Sequence, residues 1–270
     1  MTENRPASAH SSANSDALAT GRPAITGPAA AAHGQRGGGV PVKRQFVSFA
    51  FYKLMPEFRR LPQTEQRNML SEFAALIEGN DRQKMILLTY SCVGTRSDVD
   101  FMFWKIAFDL DDIQKFTAAI NRLAIAGYLF TPHSYLAQTK RSTYIDKLDP
   151  SHDESRTVIR PGKHKYVFVY PFVKKREWYL LSKHARQGIM DEHIEIGNKY
   201  QSVRLNTTYS FGLDDQEFVV AFETENPGDF LDLVQELRES EGSRYTERDT
   251  PIFTAVQTTP RALIEQLANI

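Results

Sequence analysis

The sequence predicts an α+β fold built from two successive β-α-β-β-α-β units, and three observations predict it. Short stretches alternate apolar and polar residues at a period of two, longer stretches repeat apolar residues at helical spacing, and the order of these stretches occurs twice. Each unit is then ferredoxin-like. Two such units in one chain commonly pack sheet against sheet, so a dimeric α+β barrel flanked by helices is expected.

Residues 1–42 precede this pattern. Ala, Gly, Ser and Pro dominate them and no aromatic residue occurs, so they cannot bury enough apolar surface to fold alone and are expected to form a disordered tail. The first unit, residues 43–133, opens with the strand "QFVSFAFYKL". The helix "LPQTEQRNMLSEFAALIEG" follows, with Phe73, Leu76 and Ile77 on one face and Gly79 as its stop. "MILLTYSCVG" and "DVDFMFWKIAF" read as strands, and "LDDIQKFTAAINRLAIAG" as the second helix. Residues 134–162 are polar and without a clear period, which predicts a crossing linker; connections of that length are often functional.

The second unit, residues 163–270, repeats the order. "YVFVYPFV" is a strand, and "SKHARQGIMDEHIEIGNKY" is a helix capped by Ser182. "VRLNTTYSFG" and "EFVVAFETE" form a hairpin around Leu213-Asp214-Asp215, "NPGDFLDLVQELRES" is a helix, and "PIFTAVQ" closes the unit.

Composition narrows the function classes. Lys+Arg 33 balances Asp+Glu 33, so overall charge offers no attraction for nucleic acid or a membrane surface. No apolar run is long enough to span a bilayer, and the start lacks the pattern of a secretory signal, which predicts a cytoplasmic protein. The one cysteine, Cys92, excludes an internal disulfide and a cysteine metal cluster, and a small buried residue in a strand is its simplest role.

The strand around "KYVFVYPFVKK" departs from an ordinary core strand. Val167, Val169, Pro171 and Val173 fall on one side, while Tyr166, Phe168, Tyr170, Phe172 and Lys174 fall on the other. Pro171 cannot donate to a ladder and suggests an edge or a bulge. Tyr170 and Lys174 would lie roughly 13 Å apart at about 3.3 Å per residue, too far for a hydrogen bond but apt for two points on the rim of a porphyrin-sized ligand. Equally, Tyr170 fits a core position and Lys174 a solvated strand end. His193 projects from the apolar face of its helix, with Ile189, Met190, Ile196 and Gly197 as neighbours. That suits either a core histidine or an axial ligand to a haem-type iron, with Gly197 leaving room for a macrocycle. Arg156 and Arg160 precede the strand and suit either a solvated basic loop or carboxylate recognition.

The succession "YPFVK", "EWYLL", "MDEH" on a helix running to "GNKY", "SFGLDDQEFVVAFET" and "SRYTERDTPIF" resembles the chlorite dismutase family, and within it the coproheme decarboxylases. The resemblance covers about Lys165 to Phe253. It implies that His193 is the proximal iron ligand and Tyr170 the catalytic tyrosine. The stretch Tyr170, Pro171, Phe172, Val173 and Lys174 would contact the substrate propionates, with Arg156, Ser243 and Tyr135 as further substrate-binding residues. The implied reaction is oxidative decarboxylation of two propionates of iron coproporphyrin III (coproheme) to vinyls, giving haem b, with hydrogen peroxide as oxidant. Coproheme would be both substrate and redox centre, and a tyrosyl radical on Tyr170 would take a hydrogen from the propionate β-carbon. The resemblance also implies a ring-shaped homo-oligomer, often of five subunits.

One position departs from the chlorite-degrading members, which carry an arginine on the strand after the proximal helix. Aligned back from "GLDD" that position is Leu205, with Arg204 beside it, and a register shift of one would bring Arg204 to the site. His152 in the linker is a further candidate for that side. A haem-dependent chlorite dismutase or peroxidase, and a non-catalytic haem-binding barrel, are the alternative readings. Deletion of residues 1–40 is expected to leave the melting temperature unchanged, because the segment brings no apolar surface to a core; a large drop on truncation, read by calorimetry, would contradict this.

Overall fold

A computed structural model describes residues 43–144 and 158–267; the tail, the centre of the linker with His152 and Arg156, and the last three residues lie outside the described residues. The first unit contains β1 (Phe46–Leu54), α1 (Gln63–Glu78), β2 (Met85–Ser91), β3 (Phe101–Ala107), α2 (Leu110–Asn121) and β4 (Leu129–Gln138). The second contains β5 (Tyr166–Lys174), the short α3 (Arg176–Leu180), α4 (Lys183–Lys199), β6 (Arg204–Tyr209), β7 (Phe218–Thr224), α5 (Pro227–Glu239), β8 (Thr246–Arg248), β9 (Phe253–Gln257) and α6 (Pro260–Leu267).

Helix starts and stops follow local chemistry. The Asp109 side chain accepts the Asp111 amide at the start of α2, and Asn226 does the same for Gly228 at the start of α5. Ser182 caps α4 as expected, its Oγ accepting the Ala185 amide at 3.2 Å. At the end of α1 the Gly79 amide donates to Ala75.

The sheet order is β7-β6-β4-β1-β3-β2-β9-β5-β8, and β5 also pairs with β7. That last pairing closes the first eight strands into a barrel. Within each unit the strands lie in the same relative order, and two thin seams join the units. One is the pair Gln138 and Tyr209, and the other is Tyr90 and Ser91 against Gln257 and Val256. The tandem α+β barrel expected from the repeat is therefore what the chain forms.

Some local readings change. β4 runs past residue 133, so the first four residues of the expected linker and Gln138 belong to the first unit's fourth strand. Its pattern was hard to read because Pro132 sits at a bulge, where the register against β1 shifts between Phe51 and Lys53. Pro171 is not on an edge. It pairs with Val219 on one side, and on the other it falls where the partner of β5 changes from β9 to β8, so no ladder bond needs its missing N–H. α6 was not anticipated; Leu263, Ile264 and Leu267 bury it against the first unit's core.

The barrel interior is largely apolar, with Phe49, Trp104, Val167, Val169, Ala221 and Phe253 fully buried, and the buried Glu223 there accepts from the Asn206 side-chain amide at 2.9 Å. Outside it, the two units differ in how well helices cover the sheet. On the first unit Leu70, Phe73, Phe101 and Phe103 have no exposed surface. On the second unit the corresponding face holds Phe168, Tyr170 and Phe222 buried, but Tyr166, Phe172, Val220 and Ile196 only partly so, and Leu205 stays 45% exposed. Matched units with one face filled and the other part-open leave space for a ligand on the second.

Candidate functional site

The alternation of β5 builds the floor of this space. Val167 and Val169 enter the barrel core, and Phe168 and Tyr170 join the outer cluster under α4 and α5. Phe168 stacks on Phe230 with ring centroids 3.9 Å apart, and Tyr170 stacks on Phe222 at 6.0 Å. These aromatic contacts hold the floor flat. Among the described residues the Tyr170 hydroxyl has no hydrogen-bond partner, and burial pushes its pKa well above the usual tyrosine range, helped by the nearby Asp249.

Lys174 ends the same face. Its Nζ donates to the Gly242 carbonyl at 3.0 Å and lies 4.7 Å from the centroid of the buried Trp178 ring. Burial draws the ammonium down to a pKa of about 8, opposed by the charge of Glu217. Glu217 also accepts the Lys174 backbone amide at 2.8 Å and the Tyr179 hydroxyl at 2.5 Å, which pins the end of the strand.

His193 approaches from α4. A Cβ built on Gly242 would lie 3.9 Å from its Nδ1, so Gly242 stands between His193 and the lysine that bonds its carbonyl. Burial lowers the imidazole pKa to about 4, and the charge of Lys174 adds to this while Glu192 opposes it. The ring is therefore neutral at physiological pH and keeps a lone pair for a metal. A Cβ built on Gly197, one turn on, would meet nothing within 4 Å, so open space lies beside the histidine.

The register resolves the question of Leu205. Residues directly opposite in an antiparallel pair share a face. Leu205 pairs with Phe222 and Thr207 with Val220, which places both on the face of Tyr170; Arg204 pairs with Glu223 and turns to the other side. Thr207, level with Tyr170 across β7, is a polar residue that sequence reading missed.

The structure brings Tyr170, Phe172, Lys174 and His193 to one region. By alternation Pro171 and Val173 turn away from that face, Val173 lining a cavity of about 630 Å³ with Lys174, Arg176 and Glu217. Ser243, one residue beyond Gly242, spends its hydroxyl proton on the Ser240 carbonyl at 2.8 Å and keeps its lone pairs as acceptors. Tyr135 is not with this group. It packs on the barrel-interior core, 6.0 Å from Phe51 and 6.4 Å from Phe253. Arg156 and His152 lie outside the described residues.

Among the described residues no three His, Cys, Asp or Glu side chains gather to hold a metal, and no helix is long and apolar enough to cross a membrane. A metal bound by His193 would have to bring its other ligands with it. The neutral imidazole, the flat aromatic floor and the cation at its rim fit an iron porphyrin carrying carboxylates.

Comparison with known proteins agrees. The family described as Chlorite dismutase matches residues 66–258, well over half of the chain. The chain belongs to the chlorite dismutase family. Among curated relatives in this family, a protein named coproheme decarboxylase from Mycolicibacterium smegmatis is 30% identical over 205 residues, covering 75% of this chain and 85% of the relative. A second of that name, from Staphylococcus carnosus, is 27% identical over 198 residues, covering 68% and 79%. Of solved structures, a chlorite dismutase from Candidatus Nitrospira defluvii in complex with imidazole superposes with a TM-score of 0.74 at 26% identity, covering 83% of this chain and 94% of the other. A structure titled as a novel heme-binding protein from Thermus thermophilus gives 0.73 at 26%, with 83% and 94% covered.

The depressed histidine makes the ligand-free protein acid-sensitive. Unfolded, the imidazole binds its proton near pH 6.5; folded, it does so near 4. The unfolded state therefore holds more protons between these values, and stability present above pH 6.5 is lost as pH falls toward 4. The loss is about 1–3 kcal/mol for a half-buried group. His193→Gln should flatten this part of the melting-temperature profile; parallel profiles for the two proteins would exclude the effect.

Proposed function

We propose that the chain is a coproheme decarboxylase, converting two propionates of iron coproporphyrin III to vinyls with hydrogen peroxide and so forming haem b. The observation that carries this reading is His193, pushed toward its neutral form beside Gly242, with Lys174 bonded to the Gly242 carbonyl at the end of the strand face that bears Tyr170. The names of the curated relatives support it. When bound, the iron porphyrin supplies the oxidising power that peroxide makes available.

The chain supplies position and one redox-active side chain. His193 would hold the iron through a neutral nitrogen, and the partly exposed Phe172, Val220 and Leu205 would present apolar surface to the macrocycle. Lys174 and Arg156 bind carboxylates, and Ser243 joins them by turning its hydroxyl proton from the Ser240 carbonyl to the substrate. The propionate is the hydrogen-bond partner that the Tyr170 hydroxyl otherwise lacks. As a radical, Tyr170 takes a hydrogen atom from the propionate β-carbon; loss of carbon dioxide and one further electron leaves the vinyl group. Each propionate consumes one peroxide, taking up one proton and releasing carbon dioxide and two waters. Resemblance to the family supports a homo-oligomeric ring of five subunits and a cytoplasmic setting as parts of the same proposal.

Tyr170→Phe separates this reading from a carrier or peroxidase role. The ring and its stacking remain, so coproheme should still bind and still react with peroxide, but mass spectrometry should show no loss of carboxyl groups. Arg156→Ala should instead weaken substrate binding by about 1.5–3 kcal/mol, roughly tenfold to a hundredfold, with slow turnover retained. Haem b formation by Tyr170→Phe at the wild-type rate would defeat the proposal.

Chlorite is the competing substrate. Leu205 and Thr207 put no cation on the open face of β6, so neither of these residues holds a transient hypochlorite anion. An oxygen electrode should record negligible release from chlorite by the haem-loaded protein, and sustained turnover would favour the chlorite dismutase reading.

A further inference from the structure

Every oxidising equivalent generated at this site needs a destination when no propionate is in position. Among the described residues Tyr200 donates its hydroxyl to Glu236 and Tyr179 to Glu217, and it is Tyr179 that stands at the end of a run of rings from Phe172. Tyr179, on α3, donates its hydroxyl to Glu217 Oε2 at 2.5 Å. That is the length of a strong hydrogen bond from a phenol to a carboxylate. Oxidising a phenol releases its proton, so a phenol already bonded to a base loses an electron more readily than one with no acceptor. Tyr170 has none among the described residues.

A run of rings leads from Phe172, two residues from Tyr170 on the same face of β5, to Tyr179. Phe172, on the face of Tyr170, lies 6.2 Å from Phe218; Phe218 lies 5.0 Å from Phe211; and Phe211 lies 6.0 Å from Tyr179. Trp178 is the competing acceptor next to the site, but the Lys174 ammonium sits 4.7 Å from its ring centroid and opposes a second positive charge there. Tyr179 is only half-buried, and its neighbours Leu180 and Phe211 are exposed, so solution reductants can reach it.

We propose that Tyr179 and Glu217 form a second redox-active pair that drains oxidising equivalents from the site to the surface. This rests on the porphyrin reading above. In the step, Tyr179 gives one electron to the Tyr170 radical and its proton passes along the existing hydrogen bond to Glu217. Tyr170 becomes a phenol again with that electron and a proton from water. Hydrogen peroxide is the ultimate oxidant; a one-electron reductant of the ascorbate class then gives Tyr179 an electron while the proton returns to it from Glu217, and the oxidised reductant releases its own proton to water. The same pairing makes Glu217 the base for Tyr179 and the anchor of the Lys174 amide, so the relay and the substrate-binding strand end share one carboxylate.

The test uses the full chain loaded with haem b, which presents no further propionate for reaction, mixed with peroxide and frozen rapidly for electron paramagnetic resonance. Wild type should show a tyrosyl radical that Tyr179→Phe loses. Glu217→Gln, which keeps an acceptor for both hydrogen bonds but is no base, should lose it too, and Glu217→Asp should restore part of it. A second arm oxidises the porphyrin-free chain with a photo-excited ruthenium complex and persulfate, and peptide mass spectrometry locates the oxidised tyrosines. Tyr179 should be modified ahead of the other tyrosines in wild type and lose that preference in Glu217→Gln. An unchanged radical in Tyr179→Phe, or modification that ignores Glu217→Gln, would overturn the relay. No radical in the loaded wild type, with Tyr179 still preferred in the photo-oxidised chain, would instead overturn the porphyrin reading and support the pair as the preferred electron donor.

Discussion

Because β5 alternates between two cores, its side chains tie the barrel and the ligand face together, and the rest of the site depends on that alternation. Val167 and Val169 are locked among the barrel's interior residues, so Phe168, Tyr170 and Phe172 have no choice of direction. A one-residue slip would turn the phenol into the barrel and the valines toward the ligand face. The closed ring of eight strands opposes such a slip, since β5 is paired with β7 along most of its length and with β9 over its first four residues.

The polar groups are organised around this floor by a few backbone contacts. Glu217 fixes the end of β5 through the Lys174 amide, and the Gly242 carbonyl then takes the lysine's ammonium. Gly242 also lies beside the imidazole, so strand, helix and turn meet at one peptide. Burial has opposite consequences for the groups gathered here. It keeps the His193 imidazole neutral and weakens the hold of Lys174 on its proton, while it keeps the Tyr170 phenol protonated.

Much of the site was legible because its residues lie on regular elements. Strand alternation placed Tyr170 and Lys174 together, and helical spacing placed His193 on an inward face. Reading Leu205 rather than Arg204 toward the site also followed from alternation, and the pairing with Phe222 and Glu223 agrees with it. Tyr135 was less accessible to such reasoning, since β4 carries a bulge and its register could not be counted along the sequence. The Tyr179–Glu217 pair was not legible at all, as its partners come from a five-residue helix and the bend before β7, well separated in the chain.

Sequence by itself determined the repeat, the order of its main strands and helices, and the two faces of β5. These are local properties, set by side-chain period and by capping and turn chemistry within a few residues. Only the tertiary structure decided that β5 closes onto β7, that the second unit's face stays part-open where the first is filled, and that Gly242 stands between Lys174 and His193. Such facts depend on contacts between residues far apart in the chain. Their energies come from burial and from hydrogen bonds made across elements, and no local pattern of residues encodes them.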